Sequence, residues 1–179
     1  MAVVPVVQIG DPKLAAPSEA VTEFATPKLR ALTGDMLDTM RATNGVGIAA
    51  PQIGENLRVV IVGGFESNER YPGEAPVPLT IIVNPILAIL DKTTENGWEG
   101  CLSVPEKQGL VPRYKTIGIK GFDIEGHPVA LEASGFHARI WQHECDHLEG
   151  ILFPQRAIEM RNKSDVLLDD NPSDLHDNS

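Results

Sequence analysis

Arg139-Ile140-Trp141-Gln142-His143-Glu144-Cys145-Asp146-His147-Leu148-Glu149-Gly150 is the stretch that decides the fold of this 179-residue chain. Residues 143–147 spell His-Glu-x-x-His. On a helix, positions i and i+4 share a face, so His143 and His147 can aim their imidazoles at one point. Glu144 follows about 100° round the axis, placed to reach a water beside a metal rather than the metal itself. Two neutral nitrogen ligands beside a carboxylate base form the set needed to activate water. The plainer reading of so short a motif is a helix whose histidines only pack. Phe136, Ile140, Trp141, Cys145 and Leu148 wrap most of the circumference in apolar side chains, which predicts a buried central helix. Ser134 is placed to cap it and Gly150 to end it.

Composition narrows what surrounds that helix. Apolar residues make up 42% and charged residues 22%, ordinary values for a soluble globular domain. No apolar run approaches the roughly 20 residues needed to cross a bilayer, so no membrane role is expected. Residues 3–9 are apolar but lack a basic lead, and read as a first extended segment rather than a signal peptide. The formal charge of −10 opposes binding to nucleic-acid phosphates and favours a small substrate. Two cysteines without an export signal suggest a reducing, cytoplasmic setting, where thiols serve as ligands, nucleophiles or core.

Outward from the helix, Thr26-Pro27 followed by Leu29, Leu32, Met36, Leu37 and Met40 predicts an N-terminal helix over 27–43, stopped by Asn44-Gly45. Strands are expected at 57–62, 79–83 and 86–90, with an exposed excursion over 63–78 and a polar turn over 91–97. The alternation from 116 to 133 around Asp123-Ile124-Glu125-Gly126 predicts a β-hairpin. Past Lys163 the chain turns acidic. The expected organisation is therefore a catalytic domain over 1–162 and a mobile acidic tail over 163–179, with Val166–Leu168 as its one docking element. The fold class expected is α+β, with small antiparallel sheets packed around the central helix plus the N-terminal helix.

Two further blocks carry chemistry. Gly45-Val46-Gly47-Ile48-Ala49-Ala50-Pro51-Gln52 is dense in small residues, which let a backbone approach something closely, and Gln52 offers an amide donor. It reads equally as a plain connection between a helix and a strand. Glu99-Gly100-Cys101-Leu102-Ser103 offers a thiol that is either a core residue or the third ligand beside His143 and His147.

In order and spacing, these blocks together with Gln142-His143-Glu144-Cys145-Asp146-His147 closely resemble the bacterial peptide deformylases. The resemblance runs from Gly10-Asp11-Pro12 to about residue 156. It implies a hydrolase that removes the N-formyl group from the formyl-methionine of newly made polypeptides and releases formate. By position it implies Cys101, His143 and His147 as metal ligands and Glu144 as the acid/base that serves a metal-bound water. Gln52 and the Leu102 N–H then polarise the formyl oxygen. Gly47 pairs with the substrate backbone, while Val46, Phe136 and Ile140 line the methionine pocket. Gly97 and Trp98 stand at a variable rim. The resemblance also implies one divalent metal, natively Fe²⁺ with Zn²⁺ as the frequent alternative, and Arg113 as partner of Asp146. Family members often dock on the ribosome through a basic C-terminal helix. The acidic end here leaves at most a transient ribosome contact, and a monomer is expected.

Two rival readings stand beside this one. A zinc endopeptidase of the extended His-Glu-x-x-His-x-x-Gly-x-x-His type has its glycine in Gly150, but Phe153 occupies the last histidine position. The only glutamate beyond the helix, Glu159, is no convincing ligand for the other protease class. A closed structural metal module would need Cys145 as fourth ligand. Cys145 lies about 200° round the helix from His143 and points away. His127 and His176 are expected in solvent, and His137 to cap or pack.

Overall fold

The N-terminal helix forms where its cap predicts. In the computed structural model, which describes residues 2–67 and 71–165, Thr26 accepts a hydrogen bond from the Leu29 N–H at 3.1 Å. Helix α2 then spans Pro27–Ala42. A single turn, α1 (Pro12–Ala15), precedes it, capped by Asp11. Asn44, at φ 52°, reverses the chain into strand β1 (Gly47–Ala49). The Gln52 turn follows, then β2 (Val59–Val62), all four of whose residues are buried.

Several of the remaining strands depart from expectation. The strands expected at 79–83 and 86–90 and the turn at 91–97 are one continuous strand, β3 (Thr80–Cys101). Its partner β4 spans Val104–Phe122, and only its second half was legible. Register slips at Asn84-Pro85 and between Asp91 and Thr94 bend this ribbon, and residues 88–96 are exposed. A two-stranded ribbon in water is polar on both faces, so it mimics a loop in sequence. In the first half of β4 the buried positions are Val104, Gly109, Val111 and Arg113, and an inward arginine inverts the apolar alternation. Strand β5 (Pro128–Ser134) pairs with β4 as the expected hairpin, Thr116 opposite Ser134 and Phe122 opposite Pro128. Strand β6 (Glu159–Asn162) pairs with β4 at Lys107–Leu110 and has no counterpart in the sequence reading. Instead of several small sheets, the six strands of the described residues form one connected antiparallel path, β1-β2-β3-β4-β5, with β6 on the far half of β4.

Helix α3 (Gly135–Leu148) lies against this sheet, with Ala138 and every residue from Ile140 to Leu148 buried. Trp141 and Leu148 are fully buried among Val60, Val62, Ile117 and Ile119. Gln142 ties the helix to β4, its amide donating to Tyr114 O at 2.9 Å while its carbonyl accepts from Tyr114 N at 3.0 Å. Ser134 precedes the helix but makes no side-chain cap. Its hydroxyl faces Thr116 across the hairpin at 3.4 Å instead, the last rung of β5 competing with the cap. His137 packs, accepting from Trp141 Nε1 at 2.9 Å. His127 is exposed and lies 3.1 Å from Asp123. Asp165 turns back on Asn162, accepting from its backbone and side chain. The expected tail beyond 165, with the docking of Val166–Leu168 and the exposure of His176, lies outside the described residues. Among the described residues, no helix is long and apolar enough to cross a membrane.

Candidate functional site

Three chain segments converge on one point beneath the sheet. Cys101 ends β3 and pairs with Val104 across the two-residue turn Leu102-Ser103. The N-terminal segment holds that turn beside the Gln52 turn. Ile9 N donates to Ser103 O at 2.9 Å, and Val7 N donates to Gln52 O at 2.8 Å. Helix α3 then brings up His143 and His147, their ring centroids 5.2 Å apart.

Cys101 Sγ lies 3.4 Å from His147 Nε2. One ligand atom from each of Cys101, His143 and His147 falls within 4.8 Å of the others, and all three residues are buried. Nδ1 of His143 is engaged by Glu99 Oε2 at 2.9 Å, which leaves its Nε2 for a cation. A soft sulfur and two imidazoles, confined and dry, fit a divalent transition metal. Among the described residues the donors number three rather than four, the count of a site that keeps a position for chemistry.

The electrostatics favour a thiolate. Burial alone raises the Cys101 thiol, but the charge of His147 and hydrogen bonds from His143 and His147 outweigh it and bring it well below the ordinary thiol value. Ser103 N donates to Sγ at 3.4 Å and Gln52 Nε2 approaches it at 3.5 Å. Cys145 behaves oppositely. Burial, then the negative charges of Glu144 and Asp146, push its thiol up, and it sits in the α3 core cluster as a neutral apolar residue.

Around the donors lies a buried ionic lattice. Glu99, 2% exposed, takes a bidentate fork from Arg113, both contacts at 2.9 Å, and a third bond from Arg139 at 2.8 Å. Burial opposes the Glu99 charge, yet Arg113 and His143 hold its carboxyl well below the usual carboxylate range. Arg113 also donates to Asp146 at 2.6 Å, and Arg156 grips both oxygens of the same carboxylate at 2.6 Å. A buried carboxylate is tolerated when paired in this way. Asp146 thus has Arg113 as its partner, with Arg156 as a second. Glu99 stood in the quoted Cys101 block without a role, and its separation from Arg113 across the ribbon hid the pair. Arg139 and Arg156 were not singled out. The one sequence signal for Arg139 was a charge placed four residues before His143, on the ligand face.

Above the donors, Val46, Gly47, Gln52, Cys101, Leu102, Phe136, Ile140, His143 and Glu144 all line one cavity. His147, 1% exposed, is not among its walls. A Cβ on Gly47 would lie 2.6 Å from Glu144 Oε1, so only glycine leaves room for the carboxylate at that spot. Gln52 is oriented by its own turn, its Oε1 accepting from Ala49 N at 2.9 Å. Its Nε2 faces Cys101 Sγ and Ser103 Oγ. Leu102 opens the hairpin turn, where its N–H falls outside the strand ladder. Tyr71, from the excursion, packs on Phe136 with ring centroids 4.8 Å apart, and its hydroxyl meets Gly100 N at 3.3 Å. Nothing in the sequence pattern marked Tyr71.

An antiparallel sheet with few helices, and a buried cysteine–histidine donor set beside a glutamate at a cavity, are the parts that a metal-dependent hydrolase needs. The model of the family described as polypeptide deformylase matches residues 3–163. The chain belongs to that family. It is 51% identical over 157 residues to peptide deformylase 1 of Nitrosomonas europaea, covering 88% of this chain and 89% of that one. The class I type b peptide deformylase from Acinetobacter baumannii, solved with Met-Ala-Ser bound, superposes with a TM-score of 0.83 at 39% identity, covering 87% of this chain and 98% of that one. The peptide deformylase from Thermotoga maritima gives a TM-score of 0.77 at 34% identity, covering 89% of this chain and 100% of that one.

Proposed function

We propose that this chain removes the formyl group from N-formyl-methionyl nascent peptides, with α3 as the central helix that carries half the metal site. The observation that supports this most is the confinement of Cys101, His143 and His147 donors within 4.8 Å of one another beneath a cavity walled by Glu144. These three residues would hold one divalent ion, Fe²⁺ in the cell with Zn²⁺ as an accepted substitute. Such an ion supplies Lewis acidity that makes water nucleophilic at neutral pH.

The chain's own residues supply the rest. Glu144 takes a proton from the attacking water and later delivers it to the departing amine, so that formate and a free N-terminus leave. The Leu102 N–H and the Gln52 amide donate to the oxygen on which negative charge develops. The Gly47 backbone pairs with the peptide, and the methionine side chain lies among Val46, Phe136 and Ile140. The catalytic unit is taken as residues 1–162, with 163–179 an acidic tail. The working setting is the bacterial cytoplasm, the chain acting as a monomer in transient contact with ribosomes.

The protease reading has lost its ligand. Phe153, 1% exposed, stacks on the His143 ring at 6.3 Å and holds the sequence position of the third histidine in the extended motif. The test is formate release from formyl-Met-Ala-Ser by anaerobically prepared, metal-analysed protein. Formate in step with iron content supports the reading. Cleavage of unblocked casein without formate release would reject it.

A further inference from the structure

Two cavities meet at Arg139. The cavity that Glu144 lines and a wider one beside it have only Tyr71, Phe136 and Arg139 in common in their walls. Tyr71 and Phe136 are flat rings in mutual contact. Arg139 is different, a charge on the ligand face of a buried helix with its side chain 11% exposed. Arginine is seldom buried to that degree unless its donors are used.

They are used across a gap. Nη1 of Arg139 donates to Glu99 Oε1 and to Val111 O, both at 2.8 Å, and to Gly97 O at 3.3 Å. Nη2 donates to Glu95 O at 2.6 Å. The guanidinium is therefore a rigid plate spanning from α3 to both strands of the β3–β4 ribbon. Gly97 is the bed on which the plate lies. A Cβ there would sit 2.7 Å from the Arg139 Cζ and 2.8 Å from Nε and Nη2. The close approach of the guanidinium, not a left-handed backbone, is what calls for glycine at this position.

We propose that Arg139 is a specificity-determining residue. It closes the side-chain pocket against the β3–β4 ribbon, keeps the two cavities apart, and so limits the length of the first side chain that the site accepts. The inference rests on the deformylase reading. On that reading the methionine side chain lies among Val46, Phe136 and Ile140, and Arg139 lines the same cavity. A longer chain has to lift the guanidinium out of its four hydrogen bonds. With the plate removed, such a chain runs through into the second cavity.

The test compares kcat/KM for formyl-Met-Ala-Ser and for the longer, uncharged formyl-(Nε-acetyl-Lys)-Ala-Ser, using metal-loaded full-length protein. Wild type, Arg139→Ala and Gly97→Ala are assayed, the last displacing the plate while keeping the arginine. A pocket extended by several atoms should raise the ratio of long to short substrate about tenfold or more in both variants. If Arg139 only steadies Glu99, both substrates fall together and the ratio stays as in wild type, which overturns the proposal. For a variant that turns over slowly, the ratio of Kd values for the two deformylated products, measured by calorimetry, gives the same reading. Failure of wild type to release formate from formyl-Met-Ala-Ser rejects the deformylase reading instead. Wild-type turnover with an unmoved ratio in both variants rejects the partition alone.

Discussion

Gly47 and Glu144 occupy one another's space: a single methyl on the glycine would come within 2.6 Å of the glutamate Oε1 and 2.8 Å of its Cγ. Strand β1 and helix α3 are thereby set at a separation that admits a carboxylate only because one of them carries no side chain. Gly47→Ala is expected to swing the carboxylate away without touching Cys101, His143 or His147. A displacement of about 1 Å at a reacting group costs on the order of 10² in rate. Formate release should drop by about that factor while metal content per chain, measured by elemental analysis, stays at the wild-type value.

Glu144→Ala removes the proposed proton carrier itself. Loss of a general acid–base typically costs about 10²–10⁴ in rate. The variant should bind metal as wild type does and be nearly inert in the formate assay. Retained turnover would assign proton transfer elsewhere.

Glu99 carries three partners, Arg113, Arg139 and His143. Glu99→Gln leaves the two arginines short of a buried counter-charge, and breaking such a pair costs about 3–5 kcal/mol. It also frees the His143 ring, and loss of such a hydrogen bond weakens metal affinity about 10–100-fold. Both effects should appear together, as a lowered urea midpoint and as faster metal loss to a chelator. A variant that is destabilised yet keeps its metal affinity would confine Glu99 to the ionic lattice.

Cys101→Ser exchanges a soft donor, the proposed ligand, for a hard, weakly ionised one. Metal occupancy should fall. Because binding energy at such a site is also folding energy, Tm should fall with it. Chelation of wild type should reproduce the lowered Tm, and restored metal should reverse it. Chelator should leave the variant nearly unmoved. Full occupancy in Cys101→Ser would exclude Cys101 as a ligand.

The parts of the fold that were legible share a property: their signal is local. Thr26-Pro27 with its apolar stripe marked α2, and alternation around Asp123–Gly126 marked the β4–β5 hairpin. Where inward positions are polar, that signal inverts. Arg113 faces inward from β4 and Gly109 lies beneath Phe153, so the first half of the strand resembled a loop. The exposed ribbon over 91–96, expected as a turn, was misread for the complementary reason, since both of its faces meet water. Ser134 was a sound cap by type, but its hydroxyl went to Thr116, a partner that exists only once β4 and β5 have paired.

By itself the sequence determined which residues can carry the chemistry. Helical periodicity puts His143 and His147 on one face and turns Cys145 away from it. The order and spacing of the three blocks pointed to a family. Only the tertiary structure decided what surrounds them, because those contacts join residues far apart in the chain. Glu99 meets His143 44 positions away, Gly97 yields its space to Arg139 42 positions away, and Gly47 yields its own to Glu144. A glycine's reason for being a glycine, when that reason is another element's side chain, can be read only after the elements have packed.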